Sequence, residues 1–372
     1  MYPLNTPQPY PFNQWYVAAR SDEVNRSPLE RTILGEPLVM YRTEAGAPVI
    51  MQGRCPHRFY PLAAAGTLAG DAIQCGYHGM KFNPEGRCVD IPTQENIPEK
   101  CRTRVYPAVE RWKWIWVWMG DPALADENDI PRPYCIDQPG WESTQAKTLH
   151  VPSRYTLALD NLFDLSHLGY IHQSLVGDVS EVVRTPVEIT EHSGILRMVR
   201  RTKDTPYSPL YTFLFGPGDF LVDTDVWSDY YGPSLVITGG PFQRAASICE
   251  NGSTPDKLGE MCFFHAITPE TPTSTFYFGG FSRDFRLGDA EFTAANVHMY
   301  DAVREQDESA LALVEKGLDT LSYVDQEFSA LQDSGAIRVR RLLAAQIQKE
   351  LNTAPNEKGG LSIQAGRQRA NA

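Results

Sequence analysis

The sequence predicts a small all-β domain followed by a larger α+β domain in which helices pack on an antiparallel sheet. Three observations lead there. Residues 15–119 hold short, strand-length apolar runs separated by turns. Residues 123–133 form an acidic, proline-containing run behind a Gly120-Asp121-Pro122 turn, which suits a linker. Beyond residue 135, strand-like runs are flanked by stretches of helical periodicity, the pattern of helices laid on a sheet. A chain of 372 residues has room for two or three domains. The expected layout is an arm over 1–14, a first domain over 15–125, a second over 135–351 and a polar, mobile tail over 352–372.

Taken in order, residues 1–14 are rich in proline and read as a loose lead-in, and Trp15–Ala19 reads as the first strand. Gly35–Arg42 and Ala47–Gln52 read as two strands around a Glu44-Ala45-Gly46 turn. Ala72–Gln74 precedes the hairpin turn Asn83-Pro84-Glu85-Gly86. In Arg111–Met119 the residues Trp112, Trp114, Trp116 and Trp118 alternate, so in a strand all four would share one face. Such a face suits a core or a domain boundary better than a stacking platform for bases or sugars. Tyr155–Ile171 is helix-like. Leu196–Arg200, Ser234–Thr238, Glu260–Ile267 and Ser274–Gly279 are strand-like, and Asp289–Lys316 and Gly335–Leu351 are helical.

Composition excludes several function classes. With 34 basic and 46 acidic residues the net charge is −12, and no basic block stands out, so nucleic acid and anionic membranes are poor partners. The N-terminus lacks the basic and apolar regions of a secretory signal, and the longest apolar stretch, Trp114–Met119, is too short to span a bilayer. Of seven cysteines, Cys88, Cys101, Cys135, Cys249 and Cys262 show no framework spacing and read as free thiols of a reducing compartment. The expectation is a soluble, cytoplasmic protein.

The chemistry starts in Arg54–Phe82. Cys55-Pro56-His57 is followed, after seventeen residues, by Cys75-Gly76-Tyr77-His78. A structural zinc site pairs like ligands at short spacing, whereas here each half-site carries one Cys and one His. That arrangement suits a Rieske [2Fe–2S] cluster, in which two His replace two Cys on one iron. Pro56, Gly76 and Gly79 favour tight turns that bring backbone N–H groups near the cluster sulfurs.

The second informative stretch is Asp160–His172, with Asn161, Asp164, His167 and His172. Residues five apart on a regular helix point about 140° away from each other. His167 and His172 therefore reach one ion only if the helix breaks, which Gly169 would permit.

Cys55–Leu62 and Cys75–Phe82 resemble the cluster motif of Rieske non-haem iron oxygenases, and Asn161–His172 resembles the mononuclear iron motif of the same proteins. Trp15–Ala19, Trp116–Pro122 and Thr268–Thr271 are similar to the branch of vanillate O-demethylase, dicamba monooxygenase and toluenesulfonate methyl-monooxygenase. The resemblance covers most of the chain and implies a Rieske domain followed by a helix-grip-like catalytic domain. It implies that Cys55, His57, Cys75 and His78 hold the cluster and that His167, His172 and a later Asp hold Fe(II) in a 2-His-1-carboxylate triad. Arg304–Leu311 matches the region of that Asp, which points to Asp307. Residue chemistry alone leaves Asp301, Glu305 and Glu308 open. Asp164 is implied as a bridge between a cluster His of one subunit and an iron His of its neighbour, hence a homotrimer. Asn161 would reach the iron or the substrate.

The implied activity is O2-dependent hydroxylation of a small aromatic acid, by O-demethylation or by methyl or ring monooxygenation. Ring cis-dihydroxylation is the alternative within that chemistry, and an electron carrier without catalytic iron is the alternative from another class. The chain has no G-x-G-x-x-G fingerprint, so electrons from NAD(P)H would come through a separate flavin/iron–sulfur reductase, with or without a ferredoxin. Arg197, Arg200, Arg201 and Arg244 are candidate partners for a substrate carboxylate, although solvated surface roles suit arginine better. Where the branch often has Thr-His-Tyr, this chain has Thr275-Phe276-Tyr277, which would make the pocket more apolar and argues against vanillate.

Overall fold

The computed structural model describes residues 3, 4, 6–177, 179–249, 255–321 and 327–353. Residues 354–372 of the expected tail lie outside that range, and Asn352 and Thr353 end the last helix.

The first domain is built from three small antiparallel sheets. Trp15–Arg20 pairs with Trp114–Trp118, which pairs with Ala108–Arg111. Leu29–Ile33, Glu36–Arg42, Pro48–Gln52 and Val105–Tyr106 form a second sheet, and Thr67–Ala69, Ala72–Gln74, Lys81–Phe82 and Cys88–Asp90 a third. The tryptophan strand differs from expectation at one end. Trp112 and Lys113 have φ of 56° and 62° and form the two-residue turn between the paired strands, so only Trp114, Trp116 and Trp118 share the strand face.

The arm is not a loose lead-in. Leu4 and Tyr10 are buried, and the N–H groups of Phe12 and Asn13 each donate to the Glu350 carboxylate at 2.9 Å. A carboxylate on the last helix thereby satisfies backbone donors that the arm's irregular path leaves open.

The second domain holds an eight-stranded antiparallel sheet in the order Glu142–Gln145, Ser274–Arg283, Lys257–Thr271, Leu235–Arg244, Val222–Tyr230, Ile195–Thr205 and Glu188–His192, with Leu149–Val151 also paired to Ser274–Arg283. Alternation sorts its two faces. Val199, Trp227, Ile237, Cys262, Phe264 and Phe278 pack against Trp15, Trp114, Trp116 and Trp118 of the first domain. Met198, Tyr230, Val236 and Tyr277 face the helices Tyr155–Leu162, Ala290–Asp319 and Ser334–Thr353. The tryptophan face is a domain boundary. Strand Val222–Tyr230 carries no apolar run, and its acidic face is neutralised in register: Arg197 lies opposite Asp229 and Arg201 opposite Asp225. Among the described residues no helix is long and apolar enough to cross a membrane.

Candidate active site

The two loops at the end of the first domain repeat one geometry. The Cys55 N–H donates to Tyr60 O at 2.9 Å and the Cys75 N–H to Met80 O at 2.8 Å. The fourth residue after each Cys, Phe59 or Gly79, donates back to the Cys carbonyl. Both of those residues have positive φ, 57° and 75°, the turn that swings each loop back on itself. The cysteines are buried, whereas His57 and His78 are exposed with ring centroids 4.7 Å apart. Burial pushes the Cys55 thiol up to about 11, so a thiolate there calls for adjacent positive charge. Two inner sulfurs and two outer imidazoles fit a dinuclear cluster. They do not fit one ion, because His167, His172 and Asp307 are the only such group among the described residues whose donor atoms converge within 4.8 Å.

That second group forms where the helix fails. The helical reading of Tyr155–Ile171 holds only to Leu162; a 3-10 turn, Leu165–Gly169, follows, and Gln173–Val176 starts a new helix. The break turns both imidazoles to one point, with ring centroids 5.2 Å apart. Gly169 contributes a close approach, since a Cβ there would sit 2.9 Å from Val183 Cγ2 of the neighbouring helix Ser180–Arg184. Asp307 Oδ1 lies 3.1 Å from His172 Nε2 and 3.5 Å from His167 Nε2. Asp301 is tied to Arg304 and Glu305 to Lys147, and among the described residues Asp307 is the acid whose oxygen converges with the two imidazoles. Burial alone would lower the His172 pKa, but the hydrogen bond and charge of Asp307, with a hydrogen bond to Gln306, leave it raised. The trio attracts positive charge.

Asn161 Nδ2 donates to the same Asp307 oxygen at 3.1 Å. Asp164, implied as a bridge between subunits, has these partners within its own chain. Its carboxylate accepts the Ser166 N–H at 3.0 Å, while its backbone carbonyl meets His167 Nδ1 at 2.5 Å.

The trio opens on a cavity of about 240 Å³ between the sheet and the helices. Leu162, Leu165, Leu210, Leu214, Val226, Phe242, Met261, Phe263 and Val303 line it, with Asn161, Thr224, Thr238, His265 and Tyr300 as polar points. Burial first, then the Arg304 charge, pulls the His265 pKa down to about 3, so the ring is neutral. None of the four arginines considered as carboxylate partners lines the cavity. Arg201 and Arg244 sit in surface ion pairs, and Arg197 pairs with the buried Asp229. Arg200 departs from the solvated role expected of it: it is buried, and its Nη1 donates to the carbonyls of Val183 at 3.1 Å and Thr185 at 2.5 Å. Phe276 is outside the cavity as well, under the Arg31 guanidinium at 4.8 Å, so the missing histidine does not make the pocket more apolar.

Residues 14–107 match the Rieske [2Fe-2S] domain family, and residues 151–349, more than half of the chain, match the family described as the vanillate O-demethylase oxygenase C-terminal domain. The chain is a Rieske non-haem iron oxygenase component. This oxygenase is 33% identical to the oxygenase component of chloroacetanilide N-alkylformylase from Rhizorhabdus wittichii, over 91% of its own length and 96% of the relative's. It is 34% identical to the iron–sulfur subunit of the toluene-4-sulfonate monooxygenase system of Comamonas testosteroni, over 82% of this chain and 88% of that one. Its fold superposes on dicamba monooxygenase bound to 3,6-dichlorosalicylic acid with a TM-score of 0.80 at 30% identity, covering 91% of this chain and 98% of that one. Another dicamba monooxygenase structure, with non-haem iron and dicamba, gives a TM-score of 0.76. As an oxygenase component the protein carries a [2Fe–2S] cluster and a mononuclear iron, acts on an aromatic substrate and relies on a separate reductase for electrons.

Several residues of the oxygenase's site carry no sequence signal of their own. Gln306 accepts from His172 Nδ1 at 2.8 Å and donates to Ser174 at 3.4 Å. Met261, Phe263 and His265 reach the cavity by alternation along one strand, which becomes informative only once the face of that strand is known.

Proposed function

We propose that this oxygenase hydroxylates a C–H bond of a small aromatic substrate held beside His167, His172 and Asp307. The observation that carries the reading is the convergence of two imidazoles and one carboxylate at the wall of an apolar cavity. In this reading those three residues hold Fe(II), and Cys55, His57, Cys75 and His78 hold the cluster. Bound there, the two metal groups supply reductive activation of O2. The chain's own work is positioning. Gln306 orients His172, and Asn161 holds the Asp307 carboxylate in one direction. The apolar walls exclude water and decide which C–H lies nearest the metal site. For a methoxyarene, one O2, two electrons and two protons give water and a hemiacetal, which splits into a phenol and formaldehyde.

A homotrimer completes the reading. The first domain packs on the sheet face opposite the cavity, so an electron route within one chain would have to cross the sheet. His57 and His78 lie exposed, ready to meet a neighbour, and Asp164 has one carboxylate oxygen free of Ser166 to receive a cluster His from the next subunit. Electrons would arrive from a flavin/iron–sulfur reductase, directly or through a ferredoxin. A reducing, cytoplasmic setting suits a chain whose cysteines outside the cluster loops show no framework spacing. Relatives named for vanillate and toluene-4-sulfonate act on anionic arenes, and one is named for a neutral anilide, so relatedness leaves the substrate's charge open.

One turnover tests the reaction without the reductase. The protein is reduced anaerobically, mixed with methoxylated, methylated and bare arenes, exposed to O2 and analysed by mass spectrometry. Formaldehyde matching phenol one for one, or a hydroxymethyl product, is expected; a cis-diol carrying both atoms of labelled O2 would make it a dioxygenase. His167→Ala should lose the non-cluster iron while the cluster remains reducible. Unchanged iron content would favour the electron-carrier reading.

A further inference from the structure

We infer that the iron–sulfur domain of the partner reductase docks, by an acidic face, on the outer side of the first domain around Arg87, Val89 and Arg102. The inference rests on the reading that Cys55, His57, Cys75 and His78 hold the cluster. The Cys88 N–H donates to Cys101 O at 3.1 Å and the Thr103 N–H to Gly86 O at 2.8 Å, which makes Arg87 and Arg102 the antiparallel pair between those bonds. In such a pair the side chains leave one face of the strands at their closest spacing, and like charges there repel. Both arginines are exposed. Other cations of the domain have acids: Arg54 meets Glu30 at 2.7 Å and Lys81 meets Asp90 at 2.8 Å. Among the described residues no carboxylate pairs with Arg87 or Arg102, although Glu85 and Glu99 are exposed nearby in the chain. The missing counter-charge is what an acidic partner would supply.

Alternation decides what lies behind the pair. Gly86, Cys88 and Thr103 are buried, while Arg87, Val89 and Arg102 face solvent. Cys88 and Cys101 join the buried group that contains Cys55 and Cys75, so the arginine face backs onto the sulfur side of the two cluster loops. A Cβ on Gly79 would sit 3.0 Å from Pro92 Cγ, which places the chain beyond Asp90 against the second loop. The histidine edge, His57 and His78, is the one that the proposed homotrimer turns to a neighbouring subunit. Electrons would thus enter behind the cysteines and leave by the histidines, one at a time. In each entry the donor's iron–sulfur centre is oxidised, this chain's cluster is reduced, and no bond forms or breaks. At a net charge of −12 most of the surface repels an acidic protein, so uncompensated arginines steer it to one face. Exposed Val89 adds an apolar contact beside them, and arginine next to apolar side chains is a composition that protein interfaces favour.

The test measures docking apart from turnover. The probe is a plant-type [2Fe–2S] ferredoxin, an acidic single-electron donor, mixed anaerobically with cluster-replete oxygenase. Calorimetry gives the dissociation constant of the oxidised pair at low and high salt, and stopped-flow absorbance gives the rate at which reduced ferredoxin loads the cluster. Arg87→Gln with Arg102→Gln should bind about tenfold weaker at low salt, with a flatter salt dependence and a matching loss in rate. Arg338→Gln with Lys349→Gln makes the same change of charge at exposed positions of the last helix and should bind like wild type. Methyl viologen radical, a small cation that needs no docking face, should reduce the cluster equally in all three proteins. Equal weakening in both double variants would show net charge alone at work and overturn the inference. Wild-type binding that ignores Arg87 and Arg102, or no binding at low salt, would overturn it as well. A melting temperature lowered by the Arg87 and Arg102 changes would make the pair a support of the fold and sink the docking role. Failure of viologen to reduce wild-type protein would overturn the cluster reading itself, and the inference with it.

Discussion

His172 can offer a metal its Nε2 only while Nδ1 carries the proton, and Gln306 accepts that N–H at 2.8 Å with its own amide steadied by Ser174. The side chain is therefore a device for fixing a tautomer. Gln306→Leu keeps the bulk but removes the acceptor. We expect mononuclear iron affinity to fall by about 10- to 100-fold, with the visible absorbance of the cluster unchanged. Iron retained at the wild-type level through gel filtration against a chelator would show that the backbone alone orients the ring. The asymmetry between the centres also belongs to this scale. Buried Cys55 and Cys75 lie beside exposed His57 and His78, so in the proposed ligation the imidazole side is the one solvent reaches.

Among the secondary-structure elements, the helix Tyr155–Leu162 has to be held still for its broken extension to aim two histidines. Its N-terminus is fastened to the long helix Ala290–Asp319, because Glu315 accepts from the Arg154 backbone N–H at 3.0 Å and from Arg154 Nε at 2.8 Å. Burial would raise the Glu315 pKa, but the Arg154 hydrogen bonds and charge hold it below the ordinary 4.5. A depressed carboxyl stabilises the fold above its unfolded pKa, and that contribution is lost as pH falls through the folded value. Glu315→Gln should therefore cost about 3 kcal/mol at pH 7, and the gap to wild type should narrow as the pH drops below 4.5. Urea midpoints at pH 7 and pH 4 measure it; an equal gap at both would mean that the pair is not what secures the helix. The elements themselves were unevenly legible. The cluster loops announce themselves because all four donors lie within one short segment. The proposed iron site is hidden, because regular helix geometry sends His167 and His172 apart and only the 3-10 turn between them, packed at Gly169 on the helix Ser180–Arg184, brings them together. Nothing in the chemistry of Asp301, Glu305 and Glu308 distinguishes them from Asp307 until their neighbours are known, and the strand Val222–Tyr230 hides its role behind acids that its neighbour strand neutralises.

At the scale of the whole molecule, the two domains are joined by aromatic packing. Trp116 is fully buried between the first domain and the sheet, and Trp114 meets Phe264 edge-on at 6.4 Å. Trp116→Ala should destabilise the chain by about 3–5 kcal/mol, measured by thermal or urea unfolding. If the domains melt independently, only one of two transitions will move. The alternation of the four tryptophans foretold a shared face but not that Trp112 would turn the hairpin, since positive φ at a tryptophan has no compositional cue. The cavity itself was illegible because its walls come from strands and helices far apart in the chain. The back-to-back arrangement, with the cluster domain on one face of the sheet and the cavity on the other, has a genetic consequence. A chain unable to bind the cluster, such as Cys75→Ser, and a chain unable to bind iron, such as Asp307→Ala, should each be inert alone. If subunits meet as in the proposed homotrimer, the two defective chains, co-expressed so that subunits mix, should repair each other at the junctions where a sound cluster faces a sound cavity, on the order of a quarter of the sites in randomly mixed rings.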